Sequence, residues 1–334
     1  MKTKKSFNNA GEDGKMPIEE FKLEDMCENP SIVMIAKRGS GKSWVCRAIL
    51  NYYKNIPVGL VIAPTDRMNC FYGNFVPDSY IHYAYKSEII EKLLRRQELI
   101  IEKLREKIIK GKKIDPRAFI VMDDCLSKKG TWMRDQPIST LLFDGRHYKL
   151  MYILTMQYPL GITPELRSNF DYIFLLAEDF ITNLKRIYDN YAGMFPSFNA
   201  FKNVFAQLTE NFNCMVIANR GARKSFSEKI FWYKAPMLKD EEITIGCRQY
   251  RKYHEKYYNK NWRYKHPGFD VTKYCQDKKN NKSSFKVEKI NKRATAQKPM
   301  VQRSMGQKSI FQPRRQYKKR HDFDYDDENN FTPN

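Results

Sequence analysis

Residues 31–43, SIVMIAKRGSGKS, constrain the fold of this chain more than any other stretch. An apolar run enters a Gly-Ser-Gly turn and emerges at Lys42-Ser43, ahead of residues that suit a helix. The segment Ala36-Lys37-Arg38-Gly39-Ser40-Gly41-Lys42-Ser43 fits the phosphate-loop pattern G-x-x-x-x-G-K-[ST] at every required position but the first, where Ala36 replaces Gly. The spacing has a chemical reason. Gly39 and Gly41 let the backbone curl so that successive N–H groups face a triphosphate, and a following helix adds the positive end of its dipole. Lys42 would reach the β- and γ-phosphates, and the Ser43 hydroxyl would ligate Mg²⁺. Such a loop needs a strand before it and a helix after it, so it already specifies an α/β fold.

Downstream, Ala118 to Asp124 reads AFIVMDD, an apolar strand ending in two carboxylates. Asp123 is placed to hold the Mg²⁺ shell, and Asp124 to act as general base on an attacking water. Paired acids there favour ATP hydrolysis over phosphoryl transfer to a small acceptor. The next strand, Tyr152 to Gln157, ends in an amide that can bond a γ-phosphate or the lytic water. The order of phosphate loop, strand, Asp-Asp strand and Gln strand marks a P-loop NTPase of the ASCE type, which carries an extra strand between its two nucleotide-binding motifs. A transition state of this kind also calls for an arginine, often supplied by a neighbouring subunit. Arg146 and Arg167, each just ahead of a strand, are the candidates.

Short apolar runs alternate with helical stretches, as in a mostly parallel sheet covered on both faces. Strands are expected at Ser31–Ala36, Val58–Pro64, Phe119–Asp124, Leu150–Gln157 and Asp171–Glu178. Helices are expected after Gly41, around Ile138–Asp144 and over Phe180–Tyr191. Cys214–Asn219 and Lys229–Tyr233, around Asn219-Arg220-Gly221, read as a terminal β-hairpin. Lys86–Lys110 reads as a long charged helix with Ile90, Leu94, Ile101, Leu104 and Ile108 near one face. The pairs Glu88–Lys92, Glu91–Arg95 and Glu106–Lys110 stand at i,i+4 spacing. It either packs on its own domain or meets a neighbouring subunit.

Charge narrows the partner. The chain holds 60 Lys/Arg against 38 Asp/Glu, a formal +22. Lys278 to Arg320 alone carries 15 Lys/Arg and one acid, Glu288, before five acids close the sequence between Asp322 and Glu328. The expected organisation is a polar lead-in (1–30), an ATPase domain (31–246), a basic aromatic-rich extension (247–275) and a disordered basic tail with an acidic end (276–334). A basic body with a basic arm favours a polyanion, nucleic acid first. The Tyr-rich stretch Arg248–Tyr274 suits either phosphate contact with base stacking or a helical cap on the domain. Seven scattered cysteines without a CxxC pair point to reduced thiols. No run reaches the roughly 18–20 apolar residues of a membrane span, and the N-terminus has no apolar core of a signal peptide.

AKRGSGKS at 36–43, VMDDC at 121–125, FDGRHYKL at 143–150, TMQYP at 155–159 and LRSNFDYIF at 166–174 together resemble the DNA-packaging ATPases of large double-stranded DNA viruses and virophages. Those enzymes belong to the FtsK–HerA superfamily of ring motors. The likeness runs from about Ile32 to Ala235, and the hairpin ending in Ile230-Phe231-Trp232-Tyr233 fits it. It implies a motor that threads viral DNA into a preformed capsid, working as a homo-oligomeric ring with ATP·Mg²⁺ sites between subunits. It further implies capsid or portal partners, a place at viral assembly sites in the host cytoplasm or in the virion, Gln157 as sensor, and Arg146 or Arg167 as finger in trans. A helicase or segregation translocase of the same superfamily is the near alternative. A P-loop nucleotide kinase is the distant one. Ala36 departs from the pattern and leads one to expect a local change in the loop backbone.

Overall fold

The computed structural model describes residues 17–109, 114–125, 132, 135–221, 225–239, 243–259, 276 and 279. The first sixteen residues, Lys110 and nearly all of the expected extension and tail beyond Asn259 lie outside the described residues. The chain divides into two compact units, Met1–Arg263 and Tyr264–Asn334, and every element named below belongs to the first.

Five strands are short apolar runs buried from both sides or nearly so: β1 (Ser31–Ile35), β2 (Val58–Ile62), β4 (Ala118–Asp123), β5 (Leu150–Met156) and β6 (Tyr172–Leu175). Runs without polar alternation are what a doubly covered parallel sheet requires. With β3 (Ile81–His82), β7 (Asn213–Ala218) and β8 (Ile230–Lys234) they form one eight-stranded sheet of order β3-β2-β4-β5-β1-β6-β7-β8. The six strands from β3 to β6 run parallel, and β7 and β8 close the sheet as an antiparallel hairpin. The strand bearing the two acids, β4, is separated from the phosphate-loop strand β1 by β5. That is the inserted strand expected from the motif order.

Alternation along β1 sorts its side chains between two cores. Ile32 and Met34 pack with Val45, Cys46 and Ile49 of α1 (Lys42–Tyr52) and with Phe71–Val76. Val33 and Ile35 face the other layer, made by α3 (Ser87–Ile109), α4 (Gln136–Asp144), α6 (Ile181–Tyr191) and α7 (Phe198–Leu208). Ile90, Leu93 and Leu94 of α3 are buried in that layer, so this helix packs on its own sheet. Its expected i,i+4 pairs Glu88–Lys92 and Glu91–Arg95 do not close, and Arg95 instead meets Glu98 at 3.0 Å. Two short helices, α2 (Asp66–Asn69) and α5 (Pro164–Arg167), sit in the crossovers after β2 and β5. No helix among the described residues is long and apolar enough to cross a membrane.

Two segments beyond the sheet are held by specific contacts. Residues 19–21 lie along β8, with Phe21 N–H donating to the Trp232 carbonyl at 2.7 Å and Trp232 N–H to that of Glu19 at 3.1 Å. Phe21 is buried among Tyr172, Phe174 and Phe231. At the other edge, α8 (Arg248–Tyr257) docks through Tyr250, which stacks on Tyr80 at 3.9 Å and donates from its hydroxyl to the Gly59 carbonyl at 2.9 Å. Tyr253 and Tyr257 stay exposed, so the described part of the Tyr-rich stretch, residues 248–259, is a cap on one side and open on the other.

Candidate active site

The C-terminal ends of β1, β4 and β5 meet at one cleft of about 920 Å³. Gly39 and Gly41 have φ of 75° and 101°, left-handed conformations that a Cβ would strain, so the loop needs glycine at both. α1 starts at Lys42 with no side chain capping its first turn, which leaves its end N–H groups free to face an anion. Ala36 causes no distortion. Its N–H donates to the Met156 carbonyl at 3.0 Å, its methyl is buried in the core, and its φ is not left-handed. The expected change in loop backbone is therefore not needed, because this position carries on the sheet pairing before the turn begins. Ser40 donates to the Lys37 carbonyl at 2.8 Å, and Lys37 pairs with Asp179. Lys37, Arg38 and Ser43 all line the cleft.

Lys42 spans both carboxylates. Its Nζ lies 2.9 Å from Asp123 Oδ1 and forms a closer pair with Asp124 Oδ2. Burial lowers the Lys42 pKa, but the charges of Asp123 and Asp124 outweigh it and leave the ammonium above its usual value. Gln157 donates from Nε2 to Asp124 Oδ2 at 3.0 Å. Asp124 adopts a left-handed φ of 47°, a costly conformation for a non-glycine residue, of the kind that clusters at functional sites. One residue that motif reading passed over organises the group. Thr155, buried and paired in register with Asp123, donates to Asp123 Oδ1 at 2.5 Å and accepts from the Asp124 N–H at 3.1 Å. Its signal was a single threonine near the end of the otherwise apolar and aromatic strand LMYILTM.

The two arginines are not brought to this cleft. Arg146 lies at the opposite edge of the sheet, where the parallel strands begin, 3.3 Å from Oδ1 of the buried Asp171. Asp171 also accepts from the N–H and hydroxyl of Ser31, the first residue of β1. Arg167 is engaged within its own chain: Nε donates to the Ile162 carbonyl at 2.9 Å, Nη1 bonds Asn190, and the guanidinium stands over the Tyr191 ring.

Three further cleft residues lie outside the motifs. Asp66 of α2 is buried and accepts the N–H groups of Tyr72 at 2.7 Å and Gly73 at 3.2 Å; burial raises its pKa in spite of them. Trp44 lies against Arg47, its ring 4.8 Å from the guanidinium carbon. Phe212, between α7 and β7, is 67% exposed beside Gly41, and it and Asn211 both take left-handed backbone, at φ 63° and 53°.

The family described as Poxvirus A32 protein matches residues 18–191, just over half of the chain. The chain belongs to the poxvirus A32 protein family. Among relatives of this A32-family chain, the uncharacterized protein L437 of Acanthamoeba polyphaga mimivirus is 52% identical over 245 residues, which cover 73% of this chain and 85% of that one. The uncharacterized protein 075L of Invertebrate iridescent virus 6 is 35% identical over 233 residues, covering 69% and 87%. Among solved structures, the genome packaging NTPase B204 of Sulfolobus turreted icosahedral virus 2, in complex with AMPPCP, superposes with a TM-score of 0.43 at 17% identity, over 63% of this chain and 100% of that one. The stretch matched to the A32 family holds the phosphate loop, Asp123, Asp124, Thr155, Gln157 and both arginines, and it ends before Phe212.

Proposed function

We propose that this A32-family chain is an ATP-driven motor that packages viral double-stranded DNA into a preformed capsid, acting as a homo-oligomeric ring. The observation that carries the reading is the meeting of Lys42, Asp123, Asp124 and Gln157 at the C-terminal edge of a sheet with the inserted strand. The five ordered motifs and the +22 charge supply the link to DNA. Capsid or portal proteins at viral assembly sites are the partners this role requires.

The residues do distinct work. The loop N–H groups of 36–43 and the end of α1 bind the triphosphate, whose oxygens compete with the two acids for Lys42. Released from Lys42, Asp124 can accept a proton from the attacking water while Gln157 orients it. Ser43 and Asp123 are hard oxygen donors of the type Mg²⁺ takes, and Asp124 Oδ1 is buried without a hydrogen-bond partner, an acceptor left over for that site. A bound Mg²⁺ would neutralise charge on the β- and γ-phosphate oxygens. The finger arginine comes from a neighbouring copy in this scheme. Arg146, half-exposed at the far edge, suits it better than Arg167, which is tied within its own subunit.

Displacement of a third strand from a duplex with a triplex end tests translocation directly. The motor reading expects ATP-dependent displacement that the Asp124→Asn variant abolishes. Phosphate transfer to a nucleoside acceptor without displacement would replace it with a kinase.

A further inference from the structure

A second cleft, of about 1140 Å³, runs along the β2–β3 edge between the start of α3 and α8. Its floor includes Val58, Leu60 and Leu93, and its rim carries Arg67, Lys86, Lys92 and Arg96 against the single acid Glu88. None of these four cations forms an ion pair with a carboxylate among the described residues. Arg96 is partly buried there. Its guanidinium bonds the neighbouring Gln97 amide, and burial pulls its pKa below the usual value with only the Cys247 sulfur acting the other way. His82 on β3 is likewise held below its ordinary value, by burial first and then by Lys86 and Lys92. A half-buried cation without a counter-charge is costly, and an anionic ligand supplies what is missing.

The layout suits a repeating anion better than a single one. The volume exceeds that of the nucleotide cleft, Lys92 and Arg96 stand one turn apart on α3, and the exposed Tyr253 lines the same cleft. Cations interleaved with aromatic rings are the usual platform for nucleic acid backbone and bases. The position also matters. Thr65, Asp66 and Asn69 of the α2 region line the nucleotide cleft, while Arg67 lines this one, so α2 is a wall common to both.

We propose that this cleft binds the phosphate backbone of DNA. The proposal rests on the reading of the chain as a DNA-packaging ATPase and adds where the DNA is held. It is tested on the full chain by lysine acylation footprinting with and without duplex DNA, alongside the Lys86→Glu/Lys92→Glu variant. Saturating duplex should slow acylation of Lys86 and Lys92 several-fold while Lys185 on α6 and Lys202 on α7 stay reactive. The double variant should bind duplex more weakly, with the slope of log affinity against log salt reduced by about 2, and should keep its melting temperature and its DNA-free ATP turnover. Unprotected lysines and an unchanged slope, with wild-type DNA binding intact, would overturn the cleft and leave the motor reading standing. A wild-type chain that binds no DNA would overturn both.

Discussion

Asp124 and Phe212 show what the residues of this site are asked to tolerate. Both hold left-handed backbone without being glycine, and both face the cleft that the phosphate loop forms. Phe212 sets an exposed ring beside Gly41 in that cleft, and a nucleotide base stacked on it would gain about 1–3 kcal/mol. Phe212→Ala should therefore raise the KM for ATP by roughly fivefold or more, with little change in melting temperature, because the ring is mostly exposed. Steady-state kinetics beside a thermal melt reads both. Lys42 gives a pH prediction. Its pKa is raised in the folded chain, so the stability from its pairs with Asp123 and Asp124 is complete below the ordinary 10.5 and is lost as pH climbs through the folded value. The melting-temperature gap between wild type and Lys42→Ala should be full at neutral pH and close in strongly alkaline buffer. Lys42, Asp123, Asp124 and Gln157 were legible in the sequence because each sits at a set offset from an apolar strand. Phe212 and Asp66 were not, since no motif marks a side chain delivered by a crossover.

At the scale of elements, the glycine at the second position of β2 shows how tightly the parallel strands are seated. A Cβ on Gly59 would lie 2.2 Å from the Phe119 ring of the adjacent β4, and the Gly59 carbonyl also receives the Tyr250 hydroxyl. Gly59→Ala should cost about 1–3 kcal/mol through overpacking and loosen α8, which hydrogen–deuterium exchange over 248–257 would register. The central strands, α1, α3, α4, α6 and the hairpin were readable because unbroken apolar runs and 3.6-residue patterns are local signals. The two-residue β3 is too short to carry a pattern. α7 carries such a pattern in Phe198, Phe201 and Phe205 behind its Ser197 N-cap and was passed over, whereas the docking of Phe21 against β8 depends on partners far along the chain. The α3 pairs Glu88–Lys92 and Glu91–Arg95 do not close for another reason: spacing permits an exposed ion pair, but solvent gives it little reason to form.

For the whole molecule, the parallel sheet separates two kinds of chemistry. Its C-terminal edge gathers the phosphate loop, the two acids and the Gln157 amide, while the opposite edge presents Arg146 beside Asp171. A ring that set one copy's N-terminal edge against the next copy's C-terminal edge would complete each site in trans. Arg146→Ala should then suppress turnover in proportion to assembly yet leave nucleotide binding to the single chain unaltered, and mixing it with Lys42→Ala subunits should restore part of the activity. The excess positive charge predicts that any DNA response fades as salt rises.

The most direct test of the central claim is steady-state ATP turnover by the purified full chain, with and without double-stranded DNA, beside Lys42→Ala and Asp124→Asn. The account predicts turnover that rises with DNA, nucleotide binding lost in Lys42→Ala, and binding kept in Asp124→Asn with turnover down by about 10²–10⁴. Turnover in Asp124→Asn equal to that of the wild type, or DNA binding by a wild type that hydrolyses no ATP, would contradict it.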